Sequence, residues 1–371
     1  MTLIYSILAI SIFVLLLCGF IVMTGKLLGQ SGEIEVSINQ KNEFKANRGL
    51  KLLEVLAANK VYLPAACGGK GNCGRCKIKV LAGGGYLTSL EKLCLTDKEQ
   101  SDGFRLACQI KTRENIKINL PESMLLAHSF KAELVKIETP AFRIKTLHFK
   151  LEEGEKLDFQ AGQYVQITRS LPWENVIRAY SISSSPDLEN EFSLDVQLIE
   201  GGIMSSYLHS LEVGTKLDFC GPFGDMSVDD SSAYNEHSIL LLVAGGVGLA
   251  PMRSIVSSLI NKGFKGKLVL LHGVRSRRNL YCEDEYRSLM KKHPEFEYIP
   301  VLAEPSLEDG WVGKTGLVTE TLEEWLNSNK EGLPSAEAFL CGPSAMMEAA
   351  STLLRDKGVA AEHIHSDPFS F

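Results

Sequence analysis

The residues with the clearest chemistry are four cysteines. Cys67, Cys73 and Cys76 lie on the loop C-G-G-K-G-N-C-G-R-C, a C-x5-C-x2-C spacing, and Cys108 follows in R-L-A-C-Q. Three thiolates on a tight glycine-rich loop plus one distant thiolate make a donor set that wraps a [2Fe–2S] cluster, because thiolates are the soft, anionic ligands that iron takes. The interleaved glycines let backbone N–H groups turn toward sulfur, which stabilises negative charge on a cluster. A structural zinc site would come as two C-x2-C pairs, and only one such pair is present. A disulfide framework belongs to short secreted chains, whereas this chain has 371 residues and nine cysteines. The other five, Cys18, Cys94, Cys220, Cys282 and Cys341, are dispersed and odd in number, which suits a reducing compartment. Cys94 reads as a small buried hydrophobe.

A second group is Arg178-Ala179-Tyr180-Ser181. On a strand, alternation puts Arg178 and Tyr180 on one face and Ala179 and Ser181 on the other. A guanidinium fork suits a pyrophosphate and a tyrosine ring suits the face of an isoalloxazine; taken alone, the four residues also fit an ordinary strand end. Downstream, Gly201-Gly202-Ile203-Met204-Ser205-Ser206 places a glycine pair before hydroxyls that open a helix, a suitable anion site. A third group is Ala244-Gly245-Gly246-Val247-Gly248-Leu249-Ala250-Pro251. An apolar strand, Ser238–Val243, runs into it and a helix follows. Strand, glycines and helix cradle a pyrophosphate on a helix N-terminus, although G-x-G-x-x-P departs from the G-x-G-x-x-G fingerprint. Arg275, Arg277 and Arg278 follow the next strand, where a second α/β strand would meet an adenosine ribose. They either bind a 2′-phosphate or form a solvated loop. Cys341, in C-G-P at a strand end before a helix, sits where an open α/β sheet holds its ligand, against a nicotinamide or simply buried.

The elements that would position these groups fall into four segments. Leu3–Met23 is an almost unbroken apolar run without a charge. As a helix it spans about 32 Å, matching a hydrocarbon core of about 30 Å. A signal peptide would need a basic start and a shorter apolar part, so residues 1–25 are expected to be a transmembrane anchor. Residues 33–122 are expected to form a β-grasp domain carrying the cysteines, with strands Glu33–Ile38, Phe44–Ala46, Cys76–Leu81, Leu106–Gln109 and Ile116–Leu120 and a helix over Lys51–Ala58. Pro121–Ser129 reads as a linker. Residues 130–230 carry short, evenly spaced strands with glycine turns, the pattern of an antiparallel barrel. Residues 236–371 alternate strands and helices, the pattern of an α/β nucleotide-binding domain. The fold class is thus mixed α+β and α/β. A net charge of −6 without a basic patch excludes a nucleic-acid footprint, and the eight histidines show no metal spacing.

R-A-Y-S, G-x-M-S-S-Y-L, G-P-F-G, G-G-x-G-x-A-P-M-R-S, G-x-R-S and C-G-P occur in one order behind the cysteine loop. This resembles the ferredoxin–NADP reductase superfamily and, more closely, the F subunits of sodium-translocating NADH:quinone reductases. The resemblance implies that Arg178, Tyr180 and Ser181 bind FAD, with Tyr180 on the flavin and Ser181 near its N5. It implies that Gly202, Met204, Ser205 and Ser206 hold the pyrophosphate. Gly246, Gly248 and Pro251 would receive NADH, Cys341 would face the nicotinamide, and Phe369, with Phe371 second, would cover the flavin. Arg275 and Arg277 do not then force NADPH. Only Thr168 to Ile177 separate the A-G-x-Y-x-Q-I strand from R-A-Y-S, shorter than the insertion usual in that family, and the P-F-S-F ending also differs.

The expected function is a membrane-anchored NADH dehydrogenase that passes electrons from NADH to FAD to [2Fe–2S] and on, through other subunits, to quinone. The expected location is the cell inner membrane, single-pass, with the C-terminal domains in the cytoplasm where NADH is. One alternative is a reductase component that serves an oxygenase. Another, of a different class, is a non-catalytic flavin and cluster redox sensor.

Overall fold

The computed structural model describes residues 5–6, 10–20, 32–65, 67–172, 175–228 and 234–369. Of the expected anchor, Leu3–Met23, residues 3–4, 7–9 and 21–23 lie outside these residues. Residues 10–20 are helical and exposed. Among the described residues no helix is long and apolar enough to cross a membrane.

The chain divides into two units, one made of Met1–Leu63 and Gly69–Leu125, the other of Pro64–Gly68 and Leu126–Phe371. In the first, β1 (Glu33–Ile38) and β2 (Asn42–Asn47) form a hairpin whose turn residues Asn39 and Gln40 have positive φ, as a tight hairpin turn requires. Helix α1 (Leu52–Ala58) buries Leu52, Val55 and Leu56, the spacing of one helical face. β3 (Lys77–Ala82), α2 (Ser89–Cys94), α3 (Asp97–Ser101), β4 (Phe104–Leu106), β5 (Ile116–Asn119) and α4 (Glu122–Leu125) follow. The five strands form one mixed sheet in the order β2-β1-β5-β3-β4, with β1 and β5 parallel. Two expectations are corrected. The strand placed at Leu106–Gln109 ends at Leu106, and the Gln109 N–H closes a turn on the Leu106 carbonyl at 2.8 Å. The chain leaves the sheet there so that Cys108 comes off a turn rather than a ladder. The supposed linker Pro121–Ser129 holds α4 and the start of the next strand.

The second unit opens with six antiparallel strands: β6 (His128–Ala141), β7 (Ile144–Leu151), β8 (Tyr164–Ser170), β9 (Asn175–Ser181), β10 (Glu191–Gln197) and β11 (Lys216–Phe223). Their order is β10-β7-β6-β11-β8-β9, and a bridge from Ile182 to Leu194 joins the two ends into a barrel. Phe130, Phe149, Phe192 and Phe219 fill it, with ring centroids 5.0 to 5.9 Å apart, the separation that aromatic pairs favour. Helix α5 (Ile203–His209) lies between β10 and β11.

The remainder is a parallel sheet in the order β15-β14-β13-β12-β16-β17, built from β12 (Ile239–Gly245), β13 (Lys267–Val274), β14 (Phe296–Leu302), β15 (Lys314–Thr315), β16 (Glu337–Pro343) and β17 (Ile364–Phe369). Its central strands are apolar on both faces, as a sheet covered by helices must be. Leu240, Leu242, Leu268, Leu270 and Phe339 join one core with α6 (Leu249–Asn261) and α7 (Glu283–Lys292). Leu241, Val243, Val269, Leu271 and Leu340 join another with α8 (Val318–Ser328) and α9 (Ser344–Asp356).

Candidate cofactor sites

Cys76 and Cys108 are both buried and stand side by side. The hydrogen bond between their thiols, together with burial, pushes the Cys76 thiol far above its ordinary range. Two buried sulfurs that resist ionising together need a cation to become thiolates, which is what iron supplies. Cys73 is half-buried. Cys67 is buried, on the Pro64–Gly68 segment that groups with the second unit. Gly71 has φ +82, and a Cβ there would meet Gln109 Nε2 at 2.5 Å. That amide instead donates to Cys108 Sγ at 3.4 Å, so glycine at 71 leaves room for a donor to a cluster sulfur. Among the described residues no group of three or more His, Cys, Asp or Glu side chains is gathered to hold a metal ion. The donor chemistry fits a thiolate-bound cluster through the Cys76–Cys108 pair and the glycine loop. Cys94 does more than fill space: its thiol donates to the Gly71 carbonyl at 3.4 Å and ties α2 to this loop.

A network that spacing did not reveal holds the approach to Cys108. Glu91 is fully buried and takes Arg105 Nε at 2.8 Å and Nη2 at 2.9 Å. It also accepts the N–H of Thr88 at 2.8 Å and of Leu106 at 3.1 Å. The remaining Arg105 protons go to the carbonyls of Gly84, Gly85 and Tyr86. Burial alone would raise the Glu91 carboxyl; the Arg105 fork and the two backbone donors more than offset it and hold the group below its usual range.

On the barrel, Tyr180 packs against the aromatic core, and burial pushes its hydroxyl up. Arg178, two residues back on the same strand face, is half-buried and its Nη1 donates to the Ile177 carbonyl at 2.7 Å. Ser181 is buried at the end of β9, opposite Tyr164. A ring, a guanidinium and a hydroxyl therefore share one strand end, a set that fits a flavin and its phosphates. At α5, Met204 is buried in the barrel core, so only its backbone is available to an anion, whereas Ser206 is exposed. The Ser205 hydroxyl accepts the Ile199 N–H at 3.1 Å, and a Cβ on Gly202 would lie 2.6 Å from it. These two residues shape the turn that leads into the helix.

In the parallel sheet, β12 ends at Gly245 and a tight turn over Gly246–Gly248 leads into α6, with Pro251 in its first turn. Gly246 has φ +57, and a Cβ on Gly248 would lie 2.2 Å from the Cys341 carbonyl. Glycine is therefore required at 248 to let the end of β16 approach. Cys341 itself is fully buried in the core against α6. His272 on β13, also without exposure, holds the turn: its Nε2–H donates to the Gly246 carbonyl at 3.1 Å. Burial pushes the His272 imidazole down to about 4. Phe369 takes register opposite Pro343 at the end of β17; Phe371 lies outside the described residues. Beyond β13 and β14 a cavity of about 430 Å³ is lined by Arg275, Ser276, Arg278, Glu304, Ser306 and Asp309. Arg275 pairs with Glu304 at 2.9 Å, Arg277 with Glu283, and Arg278 lies over the Phe142 ring. Each arginine thus has a partner in the protein, and carboxylates sit beside the space.

A cysteine-bearing mixed sheet, an antiparallel barrel and a parallel nucleotide-type sheet in this order define an iron–sulfur flavoprotein reductase. Three family models match in the same order: a 2Fe-2S iron-sulfur cluster binding domain over residues 36–113, an oxidoreductase FAD-binding domain over 131–228 and an oxidoreductase NAD-binding domain over 242–352. Similar curated proteins include the F subunit of the Na(+)-translocating NADH-quinone reductase of Marinomonas sp., 32% identical over 96% of both chains. The F subunit of the same enzyme in Serratia proteamaculans is 31% identical over 92% of this chain and 93% of the relative. The chain belongs to this F-subunit family. Among solved structures, the Amycolatopsis cytochrome P450 reductase GcoB is similar at a TM-score of 0.74 and 25% identity, over 91% of this chain and 98% of that one. A ferredoxin reductase in carbazole 1,9a-dioxygenase shares the fold at a TM-score of 0.68 and 23% identity, over 91% and 99%.

Proposed function

We propose that this protein is the NADH-oxidising component of a sodium-translocating NADH:quinone reductase. The observation that carries the reading is that a flavin-type barrel and a nucleotide-type parallel sheet share one unit, in a chain that also bears the cysteine loop. When bound, the flavin and the cluster let the two electrons of an NADH hydride be handed on one at a time. The chain's part is to bind and orient. Gly246, Gly248 and Pro251 present the turn and first helical residues that receive the NADH pyrophosphate, and His272 fixes the direction of the Gly246 carbonyl. Arg275 lines the space for the adenosine ribose. Arg178 and the turn from Gly202 through Met204, Ser205 and Ser206 hold the FAD phosphates. Tyr180 and Ser181 bound the flavin ring, Cys341 backs the nicotinamide side and Phe369 shields the flavin from water. Cys67, Cys73, Cys76 and Cys108 ligate the cluster.

In this reading the domains run 1–25, 33–122, 130–230 and 236–371. The first anchors the chain in the inner membrane, the others lie in the cytoplasm, and further membrane subunits carry electrons to quinone. The likeness to a cytochrome P450 reductase and the short Thr168–Ile177 connection favour one rival, a reductase that serves an oxygenase. The test uses the detergent-solubilised full chain. Anaerobic NADH should bleach the flavin absorbance and give a [2Fe–2S] signal by low-temperature EPR. Bleaching without an EPR signal would reject the cluster as the exit. No response to NADH or NADPH in flavin-loaded protein would reject the dehydrogenase. Sodium-stimulated quinone reduction by membranes containing the protein distinguishes the sodium-translocating role from that of an oxygenase reductase.

A further inference from the structure

One buried charge belongs to none of the cofactor sites. Asp195, on β10, has no exposed side-chain surface. Its register partner in the barrel, Thr146 on β7, donates Oγ1–H to Oδ1 at 2.8 Å. Its other donors come from the nucleotide-type half. Arg253 Nη1 reaches Oδ1 at 2.9 Å and Oδ2 at 3.0 Å, and Tyr281 O–H reaches Oδ2 at 3.2 Å. Arg253 is on α6, two residues past Pro251 of the glycine turn. At the far end of the same helix, Asn261 Nδ2 donates to Asp187 Oδ2, from the loop before β10, at 2.9 Å. Helix α6 is therefore tied to the barrel at both ends.

We propose that Asp195 and Arg253, with Thr146 and Tyr281, are positioning residues that set α6, and with it bound NADH, at the distance and angle hydride transfer to the flavin requires. Apolar contact already joins the two halves, since Ile144, Ala161 and Met226 share one core with Leu249, Met252 and Ile255. That contact is non-directional. A buried ion pair adds little net stability over apolar residues of similar volume, because desolvation offsets the attraction. Its contribution is direction: Arg253 Nη1 donates to both carboxylate oxygens, and a hydroxyl donates to each of them, so the set fixes rotation as well as distance. Reacting groups misplaced by about 1 Å lose roughly 100-fold in rate. The inference rests on the NADH-to-flavin reading.

The test compares the full chain, loaded with FAD and cluster, with Arg253→Lys and with the double variant Asp195→Leu/Arg253→Met, whose apolar pair removes the charge without orphaning it. Stopped-flow flavin bleaching by NADH gives a limiting rate and a half-saturating concentration. Hydrogen exchange reads the amides of α6. The double variant leaves the buried Thr146 and Tyr281 hydroxyls without their acceptor and should melt several degrees lower; its limiting rate should fall about 10-fold or more, with half-saturation kept within about threefold and α6 amides exchanging faster. Arg253→Lys, which keeps the charge but not the planar guanidinium, should fall between. A wild-type limiting rate with unchanged α6 exchange in the double variant would overturn the proposal. So would a loss confined to half-saturation, or an equal slowing with dithionite, which does not use the nucleotide site. If the double variant does not fold, Asp187→Ala, which frees the other end of α6, must lower the limiting rate in the same way or the proposal fails. If wild-type protein does not bleach with NADH, the function reading fails, and α6 exchange still decides whether the pair holds the helix.

Discussion

Two buried carboxylates, each held by an arginine, Glu91 by Arg105 and Asp195 by the half-buried Arg253, use the same chemistry for different tasks. The first is short-range: Arg105 on β4 and Glu91 on α2 are 14 positions apart, within one small domain. The carboxylate caps α2 and receives the Leu106 N–H, while the arginine gathers three loop carbonyls, so the pair organises the chain just before Cys108. The second pair is 58 positions apart and joins a barrel strand to a helix of the parallel sheet. Its arginine donates to no backbone carbonyl among the described bonds. A buried pair therefore pins a loop in one region and orients two sheets in the other. The local pair should act on the stability of its own sheet, and the long-range pair on geometry between elements.

The comparison can be broken by removing one partner from the local pair. Glu91→Ala leaves Arg105 buried without a counter-charge and should cost about 3–5 kcal/mol. Hydrogen exchange of the β1 and β5 amides would register the loss, and those of β12 and β13 should not change. A loss shared by both sheets would refute the local assignment.

Acid sharpens the contrast, because the two regions should weaken in different windows. His272, on the nucleotide side, is held at about 4 against about 6.5 unfolded. A base with a depressed folded value binds more protons when unfolded, so its sheet loses stability as pH falls from about 6.5 to 4, by about 3 kcal/mol. Glu91, held low by Arg105, contributes fully above its unfolded value of about 4.3. That contribution is lost only as pH drops through the lower folded value. Protection in β12–β13 should therefore decline from pH 6.5, with the slope abolished by His272→Gln, while β1 and β5 stay flat to about pH 4.5.

Two smaller effects test single donors. Thr146→Val removes one hydrogen bond to a buried carboxylate and should cost about 1.5–3 kcal/mol, seen as faster exchange in β7 and β10. Thr88→Ala removes the capping hydroxyl of α2, whose capping box with Glu91 is complete, and should cost about 1 kcal/mol, confined to the first unit.

Much of the fold was legible because it rests on periodicity. Alternation gave β1 and the barrel strands, apolar runs gave β12 and β13, and strand–glycine–helix gave the turn at Gly246. The cysteine loop was legible because ligand type and spacing are local. The end of β4 at Leu106 was not, since the turn that releases Cys108 depends on the Leu106 carbonyl and on Glu91 of α2, which takes the Leu106 N–H. Cys94 reads as inert in the sequence because its thiol meets the Gly71 carbonyl only in the folded chain. Asp195 left one trace, a carboxylate in a strand whose neighbours on both faces are apolar or small.

The sequence by itself determined the modules, their order and the residue types offered to iron, flavin and NADH, because each depends on neighbours within a few residues. Only the tertiary structure decided which buried charges meet. Asp195, Thr146, Arg253 and Tyr281 come from four separate stretches of chain. Whether a carboxylate in one strand finds a guanidinium on a distant helix depends on how sheets pack, which no local pattern encodes.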